Sequence, residues 1–191
     1  MIGSLVGIKY EILSELDSTP LFSSFRAVDR SNGRDVRIRI LESTLSGERR
    51  FVDSLNEHVD SLRAINHPAL EKIYDVVDEN EQYSLICEYV QANNLELRVK
   101  RLASFSVQLA ISTAISICDG LSAVHQAGVV HGDISGQNIL VTPSGAVKLT
   151  MTGLWNAYPS SSKAGLVMLK NMAPYMAPEV TSGSMPNNLS D

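Results

Sequence analysis

The sequence predicts an α+β fold in two lobes, a sheet with one inserted helix followed by a mainly helical half. Residues 36–40 alternate apolar and charged side chains, which indicates a half-exposed strand. Over residues 48–65 apolar side chains recur at spacings of three and four, which indicates a helix among the strands. From about residue 91 helical patterns prevail. Residues 1–90 are therefore assigned to the first lobe and residues 91–191 to the second.

The first lobe contains β-rich segments that are separated by turn signals. The segment at 17–20 breaks the first strand, and the Ser-Asn-Gly sequence at 31–33 is a hairpin signal. Pro68 ends the helical segment, because the residue before a proline avoids helical backbone angles. An antiparallel sheet of five strands is expected, formed by residues 8–16, 25–28, 36–40, 73–77 and 83–90.

Helices and one hairpin are expected in the second lobe. Residues 95–102 suit a short helix, and residues 107–126 suit a long helix that is apolar nearly all round. A helix of that kind is normally buried on most sides. The turn at 142–145 is expected to join two short strands at 139–141 and 147–150.

Composition and charge narrow the class of protein. The chain has 191 residues, 44% of them hydrophobic, and a formal net charge of -5, so no basic surface is expected for nucleic acid or an anionic membrane. No signal peptide is recognisable, and no apolar run approaches the roughly 18 residues of a membrane span. Cys87 and Cys118 lie in apolar stretches and are expected to be reduced core thiols. A cytoplasmic location follows as the default expectation.

Residues 131–140 carry the pattern H-x-D-x-x-x-x-N followed by an apolar run, with Asp133 and Asn138 at its fixed polar positions. This pattern resembles the catalytic loop of protein kinases. Four further segments match that family in type and spacing, at residues 8–12, 66–68, 86–90 and 175–179. Nearly the whole chain thus resembles the bacterial eukaryotic-like Ser/Thr kinases.

The resemblance implies a role for each retained residue. Asp133 would accept a proton from the substrate hydroxyl, and Asn138 would hold a magnesium ion. For Asp133 the favoured alternative is a structural role, in which its hydrogen bonds hold the loop in shape. Arg39 takes the place of the lysine that pairs with the ATP phosphates, and Glu88 and Val90 belong to the hinge beside the adenine. ATP and magnesium are the cofactors that the family pattern implies.

The expected nucleotide site departs from the family pattern. Residues 17–22 replace the glycine-rich loop without a single glycine, Pro20 removes an amide, and Asp17 adds a negative charge. Arg37 replaces the small residue that normally roofs the adenine. For Arg37 and Arg39 an equally weighted alternative is that they are exposed charges on a half-buried strand.

The expected metal site departs as well. Met151 stands where the aspartate of the D-F-G motif chelates magnesium, and a thioether is a poor ligand for a hard cation. Met151 is therefore expected to fill the core. The glutamate that pairs with position 39 falls on His58 or on the adjacent Glu57, and only one of them can face the site, since neighbours on a helix point about 100° apart. An equally weighted alternative is that the side chains of Glu57 and His58 are both exposed to solvent.

The loop and the activation segment also differ from the family. Gly132 and Ser135 replace the arginine and the lysine of the catalytic loop, and Met172 replaces a threonine. The serines at 160–162 are possible phosphorylation sites, although a flexible polar loop is favoured there.

The chain ends at Asp191, where family members open a long helix and continue with further helices. The second lobe is therefore expected to be truncated. Without those helices, apolar surface on residues 107–126 should be exposed, and Glu179 should lack its usual arginine partner.

Three hypotheses follow. The first is a pseudokinase, a kinase-shaped binding or regulatory module with little or no phosphoryl transfer, for which a protein partner is expected. The second is an active or weakly active Ser/Thr kinase that uses Arg39 and Asn138 for ATP and magnesium. The third is a degraded remnant without a role, which predicts that the chain melts without cooperativity. The resemblance also implies that the parent protein can be membrane-tethered.

Overall fold

The first lobe is built on an antiparallel sheet. The computed structural model describes residues 1–46, 49–101, 106–154 and 173–191. The strands of this lobe are β1 (Leu5–Val6), β2 (Tyr10–Ser18), β3 (Phe22–Asp29), β4 (Arg34–Leu41), β5 (Ile73–Glu79) and β6 (Gln82–Glu88). They form a six-stranded sheet in the order β1-β2-β3-β4-β6-β5. The five longer strands confirm the expected sheet, and β1 adds a short edge that the pattern did not predict.

The hairpin between β2 and β3 turns two residues later than expected. Ser18 still belongs to β2, and the Oγ1 atom of Thr19 accepts hydrogen bonds from the backbone N–H groups of Leu21 and Phe22 at 3.3 and 3.0 Å. The backbone N–H of Thr19 also donates to the carbonyl of Phe22 at 2.8 Å. The threonine side chain thus closes the turn, which leaves Asp17 on the strand and not in the loop.

Two helices follow β4, α1 (Ser43–Ser46) and α2 (Arg49–Arg63). Helix α2 is the expected inserted helix, and α1 is a single extra turn. The apolar face of α2 is buried against the sheet and consists of Phe51, Val52, Leu55, Val59 and Leu62. Burial of this face positions α2 behind the cleft between the lobes.

Strand β4 places its alternating side chains in two environments. Val36 and Ile38 are buried in a cluster with β2, β3 and β6, whereas Arg37 and Arg39 project from the opposite face. The side chains of Arg37 and Arg39 are only 14% and 5% exposed, so the interpretation as exposed charges is wrong. The reason is that a carboxylate holds each guanidinium, Asp17 for Arg37 and Glu71 for Arg39.

The second lobe comprises α3 (Leu95–Arg101), α4 (Val107–Gln126), α5 (Pro178–Thr181) and a small antiparallel sheet of β7 (Asn93–Asn94), β8 (Ile139–Val141) and β9 (Val147–Leu149). Helix α4 has the expected bounds. It begins there because the Ser106 hydroxyl accepts a hydrogen bond from the N–H of Leu109 at 3.2 Å, which caps the first turn. A short 3-10 turn at Ala173–Tyr175 precedes α5.

Helix α4 is buried along one narrow line and not on most sides, which contradicts the expectation drawn from its composition. Only Thr113, Gly120 and Val124 are buried, and a Cβ at Gly120 would lie 3.1 Å from the Leu149 side chain. The prediction of exposed apolar surface is confirmed, because the side chains of Val107, Ile111 and Ile115 are 75, 55 and 56% exposed.

The same helix corrects two further expectations. By length and composition alone it is long and apolar enough to cross a membrane, whereas no such segment was expected from the sequence. Core helices of soluble proteins also meet this criterion of length and composition. Both cysteines are free, but only Cys87 is buried, and Cys118 on α4 is exposed. Burial raises the pKa of the Cys87 thiol to about 12, so this group stays protonated.

A short segment after α2 joins the two lobes. The N–H of Leu149 in β9 donates to the carbonyl of Ala69 at 2.7 Å, and the N–H of Glu71 donates to the carbonyl of Leu149 at 2.8 Å. The ammonium of Lys148 in β9 binds the Glu88 carboxylate at 2.8 Å and the carbonyl of Leu70 at 3.2 Å. These bonds hold Glu71 beneath the sheet of the first lobe.

Candidate functional site

A cavity of about 360 Å³ lies between the lobes. Its roof is formed by residues of β2, β3 and β4, and its floor by residues between 92 and 97, by residues between 137 and 140 of the 131–140 loop, and by residues 150–151. Among the expected site residues, it brings together Arg39, Asn138 and Met151. Asp133 lines a second, smaller cavity of about 130 Å³ with residues of the segment 175–191, and Glu88 and Val90 line neither of the two.

Arg39 is held by a carboxylate that the sequence analysis did not single out. Its Nη1 and Nη2 atoms lie 2.7 and 3.0 Å from the two carboxylate oxygens of Glu71, and both side chains are 5% exposed. Burial alone would lower the pKa of Arg39, but the Glu71 carboxylate outweighs it and raises that pKa above its usual value. The pair is bidentate, and this geometry is the strongest that an arginine forms with a carboxylate.

Helix α2 does not supply the counterion that the family pattern implies. Glu57 is exposed, and the ring Nδ1 of His58 lies 2.7 Å from the backbone carbonyl of Ser54 in its own helix. Glu71 replaces both as the partner of Arg39. The only sequence signal for it was a charged residue at the start of an apolar strand, and that signal does not identify a partner 32 residues away.

Arg37 extends across the roof of the cleft toward β2. Its Nη2 lies 2.6 Å from the Asp17 carboxylate, while its Nε is buried without a hydrogen-bond partner in the described part of the chain. Burial lowers the pKa of the Arg37 guanidinium, and the nearby charge of Arg39 lowers it further. This ion pair occupies the position at which the family pattern expects a small residue above the adenine.

The 131–140 loop is held in shape by hydrogen bonds. The Asp133 N–H lies 3.3 Å from Nδ1 of the fully buried His131, and the Asn138 side-chain amide donates to the Asp133 carbonyl at 3.1 Å. Burial raises the pKa of the Asp133 carboxyl, against the opposing hydrogen bonds of Asn138 and Ser135. The Nδ2 group of Asn138 therefore forms its hydrogen bond within the loop itself.

Asp191 fixes this loop from the far end of the chain. Its carboxylate accepts hydrogen bonds from the backbone N–H groups of His131 and Gly132 at 2.7 and 2.8 Å, and it lies 2.9 Å from the ring of His125. Its side chain is 2% exposed. The sequence pattern suggests a helix start at Asp191 and carries no signal for this contact, because the contact joins positions 60 residues apart.

The donor set around position 151 does not fit a magnesium ion that bridges a triphosphate. Met151 is half-buried and packs against the α2 cluster, which agrees with the expected core-filling role. Its backbone φ is 63°, a left-handed conformation that costs a non-glycine residue about 1 kcal/mol. Within the described ranges, no group of three His, Cys, Asp or Glu side chains is placed to hold a metal. Of the three expected site residues that line the cavity, Arg39, Asn138 and Met151, only Asn138 has a side-chain oxygen of the type that magnesium prefers.

Other expected residues lie at the borders of the site. The Glu88 carboxylate is engaged by Lys148, and the backbone N–H of Glu88 donates to the Lys72 carbonyl at 2.8 Å. Glu179 accepts a hydrogen bond from the Ser190 hydroxyl at 2.8 Å in place of the arginine of the family pattern. Met172 and the serines at 160–162 lie outside the described residues.

Comparison with known proteins adds the family context. The model of the protein kinase domain family matches residues 22–191. The chain is 31% identical over 175 residues to a probable serine/threonine-protein kinase pknA2 of Bifidobacterium longum, which covers 90% of this chain and 23% of that protein. It is 27% identical over 195 residues to the serine/threonine-protein kinase PknA of Mycobacterium tuberculosis, which covers 100% of this chain and 45% of that protein. The chain thus spans less than half the length of these curated relatives.

Solved structures support the same fold. The Mycobacterium tuberculosis PknI kinase domain superposes with a TM-score of 0.78 over 100% of this chain and 70% of that chain, at 16% sequence identity. At such an identity the likeness concerns the fold alone, and it agrees with the predicted two-lobed α+β architecture.

Proposed function

The chain belongs to the protein kinase domain family, and from this premise we propose that it is a catalytically impaired member, a pseudokinase that acts as a binding or regulatory module. Kinases of this family use ATP and magnesium, and their catalysis consists almost entirely of positioning and charge neutralisation. The proposal is therefore decided by the charges and ligands around the cleft.

The ion pair between Arg39 and Glu71 is the observation that supports the proposal best. In family members the cation at this position pairs with a carboxylate of the inserted helix and still reaches the phosphates. Here Arg39 pairs with Glu71 of another segment, and both side chains are 5% exposed, so turning the guanidinium toward a phosphate would leave Glu71 buried and unpaired. Breaking a buried pair of this kind costs about 3–5 kcal/mol, a factor of roughly 150 to 4,000 in affinity. The cation that should orient the phosphates is thus held in an orientation set by Glu71 and not by helix α2.

The metal side of the reaction is impaired for an independent reason. Met151 offers a thioether where a carboxylate is needed, so that of the two metal ligands of the family pattern only the Oδ1 atom of Asn138 remains, while its Nδ2 donates to the Asp133 backbone. Asp133 itself is held in the loop by burial and hydrogen bonds, which supports a structural role for it. We accordingly propose that magnesium-bound ATP is not a ligand of this chain.

A phosphoryl-transfer assay tests the proposal. The chain is incubated with labelled ATP, magnesium and a general protein substrate, beside an Asp133→Asn variant in which the carboxylate is removed. We expect equal, background incorporation in both samples. Incorporation by the unchanged chain that disappears in Asp133→Asn would contradict the proposal.

A weakly active Ser/Thr kinase is the second candidate, favoured by the retention of both Asp133 and Asn138 in an ordered loop. It predicts that ATP with magnesium raises the melting temperature, because a ligand that binds only the folded state stabilises it. The absence of any shift at millimolar ATP would count against this candidate.

The proposed partner is a protein, and the proposed location is the cytoplasm, in a parent protein that is either soluble or tethered. The net charge of -5 argues against nucleic acid as the partner. The exposed side chains of Ile111 and Ile115 on α4 offer an apolar surface of the kind that proteins bury on contact. A remnant without a role would instead show no cooperative melting transition.

A further inference from the structure

The smaller of the two cavities, of about 130 Å³, is lined by a carboxylate that has no cation beside it. This residue is Asp133, and the described residues that line the cavity with it include no lysine, arginine or histidine. Asp133 also takes part in no salt bridge among the residues that the structure describes. Burial opposes the negative charge of this carboxylate, as its raised pKa shows.

The sequence explains why this carboxylate has no counterion. Gly132 and Ser135 stand where the family pattern has an arginine and a lysine, one on each side of Asp133. The chain therefore keeps the carboxylate and lacks both neighbouring cations of the pattern. A buried charge without a partner carries a free-energy cost, which a bound cation offsets.

The other carboxylate that lines the cavity is already satisfied. Asp191 accepts hydrogen bonds from the backbone N–H groups of His131 and Gly132 at 2.7 and 2.8 Å and lies 2.9 Å from the His125 ring. Asp133 is then left as a single carboxylate for an incoming cation. A hard metal ion requires about six oxygen ligands, so one carboxylate suits an organic cation better.

The remaining walls favour a guanidinium group over an ammonium group. They are mainly apolar and include Tyr175, Met176, Val180 and Pro186. A guanidinium is planar, weakly hydrated and able to stack on an aromatic face, whereas the ammonium of lysine is strongly hydrated. A cavity of roughly 150 Å³ holds a benzene molecule, so about 130 Å³ is enough for the planar head of an arginine. Tyr175 is 53% exposed, which makes this wall accessible to another molecule.

We propose that this cavity receives the guanidinium group of an arginine side chain presented by a protein partner, with the Asp133 carboxylate as its counterion. The inference rests on the proposed function, in which the partner is a protein and Asp133 does not act as a base. The carboxylate that would take a proton from a hydroxyl in the family's reaction thus forms an ion pair instead. The net charge of -5 attracts a basic segment to the chain.

Titration of the isotope-labelled chain with N-acetyl-arginine amide, followed by NMR, tests the inference. N-acetyl-citrulline amide is the matched ligand, since it has nearly the same shape and no charge. We expect the arginine compound to shift the backbone amide signals of Gly132 and Val180 at millimolar concentration. The citrulline compound should bind at least about tenfold more weakly, because it forms no ion pair. Equal binding of the two compounds, or shifts confined to other parts of the chain, overturns the inference.

Two further ligands test the chemistry and the source of the cation. At equal ionic strength, N-acetyl-lysine amide should bind more weakly than the arginine compound, because its ammonium loses more hydration. Equal affinity of the lysine compound would show attraction to charge alone and overturn the assignment to arginine. Free arginine that binds more tightly than the amide would indicate an amino-acid ligand and overturn the protein partner.

A matched pair of variants locates the counterion. Asp133→Asn keeps the shape of the side chain, removes its charge, and should abolish the preference for the arginine over the citrulline compound. Asp119→Asn removes an exposed carboxylate on α4 and should leave the titration unchanged. Signals that keep their positions elsewhere in the spectrum show that each variant is folded. Equal effects of the two variants overturn the inference.

The two proposals fail on different results. Phosphoryl transfer that depends on Asp133 contradicts the pseudokinase proposal. Absence of arginine binding in a chain that transfers no phosphate contradicts only the ligand inferred for the smaller cavity.

Discussion

Arg39 and Glu71 are 32 positions apart in the sequence and in direct contact in the structure. At position 39 a single neighbouring carboxylate determines how the arginine side chain is oriented. An arginine without a partner is able to turn toward a phosphate, whereas Arg39 is held in one orientation by a bidentate carboxylate, and both side chains are 5% exposed. The residue type at position 39 therefore does not decide its function.

Substitution of one partner should reveal this pair in stability. Arg39→Met is expected to lower the free energy of unfolding by about 3–5 kcal/mol, because Glu71 is left buried and unpaired. The double change Arg39→Met with Glu71→Leu should recover most of that loss. Chemical denaturation measures both. Arg26→Met serves as the control, because the side chains of Arg26 and its partner Asp35 are 41 and 44% exposed. If Arg39→Met lowered the free energy of unfolding no more than Arg26→Met, the account would be contradicted.

His131 makes stability depend on pH. Burial lowers its pKa from 6.5 to about 4 in the folded chain, so between these values the unfolded state binds the proton and the folded state does not. The stability that this group contributes is present above pH 6.5 and falls by up to about 3 kcal/mol as the pH drops to 4. In His131→Gln, unfolding measured across this window should lose that part of the slope. An unchanged slope would show that His131 does not titrate as described.

At the scale of elements, helix α4 shows which properties of a helix the sequence pattern predicts and which it does not. Its bounds follow from the sequence, because the apolar run and the Ser106 cap are both local. Its burial does not, because that depends on which segments pack against it. The Thr19 turn illustrates the same limit, since the side chain that closes it shifted the loop by two residues.

The exposed face of α4 gives a prediction of its own. Changing Ile111 and Ile115 together to lysine should leave the melting temperature unchanged and reduce self-association in light scattering, because both side chains are more than half exposed. Val124→Lys on the buried line of the same helix should unfold the chain. A large loss of stability from the double change would mean that the face is packed.

The contacts between the two lobes give another testable prediction. Lys148→Met removes the contacts of β9 with Glu88 and Leu70 and should cost about 1–3 kcal/mol, since the Glu88 carboxylate and the Leu70 carbonyl lose a charged donor. Thermal unfolding measures the loss. Lys100→Met on α3 breaks only an exposed pair with Glu96 and should change little. Similar effects of both changes would argue against a brace between the lobes.

At the scale of the whole molecule, the two-lobed kinase fold could be predicted from the sequence. The charges and ligands of its cleft could be predicted only in part. The fold is encoded in many local patterns that agree with one another, from the strands of the first lobe to the 131–140 loop. The loss of the metal ligand was visible as Met151. The neutralised roof was not, since Asp17 and Glu71 meet their arginines only after the chain has folded.

The central claim is that this kinase fold has no site for a metal-bridged triphosphate. A crystal of the chain soaked with magnesium and a non-hydrolysable ATP analogue measures it most directly. We expect the Arg39 guanidinium to remain on the Glu71 carboxylate, with no ordered metal and no ordered phosphates between the lobes. An ordered triphosphate bridged by magnesium, with Arg39 turned away from Glu71 toward it, would contradict the account.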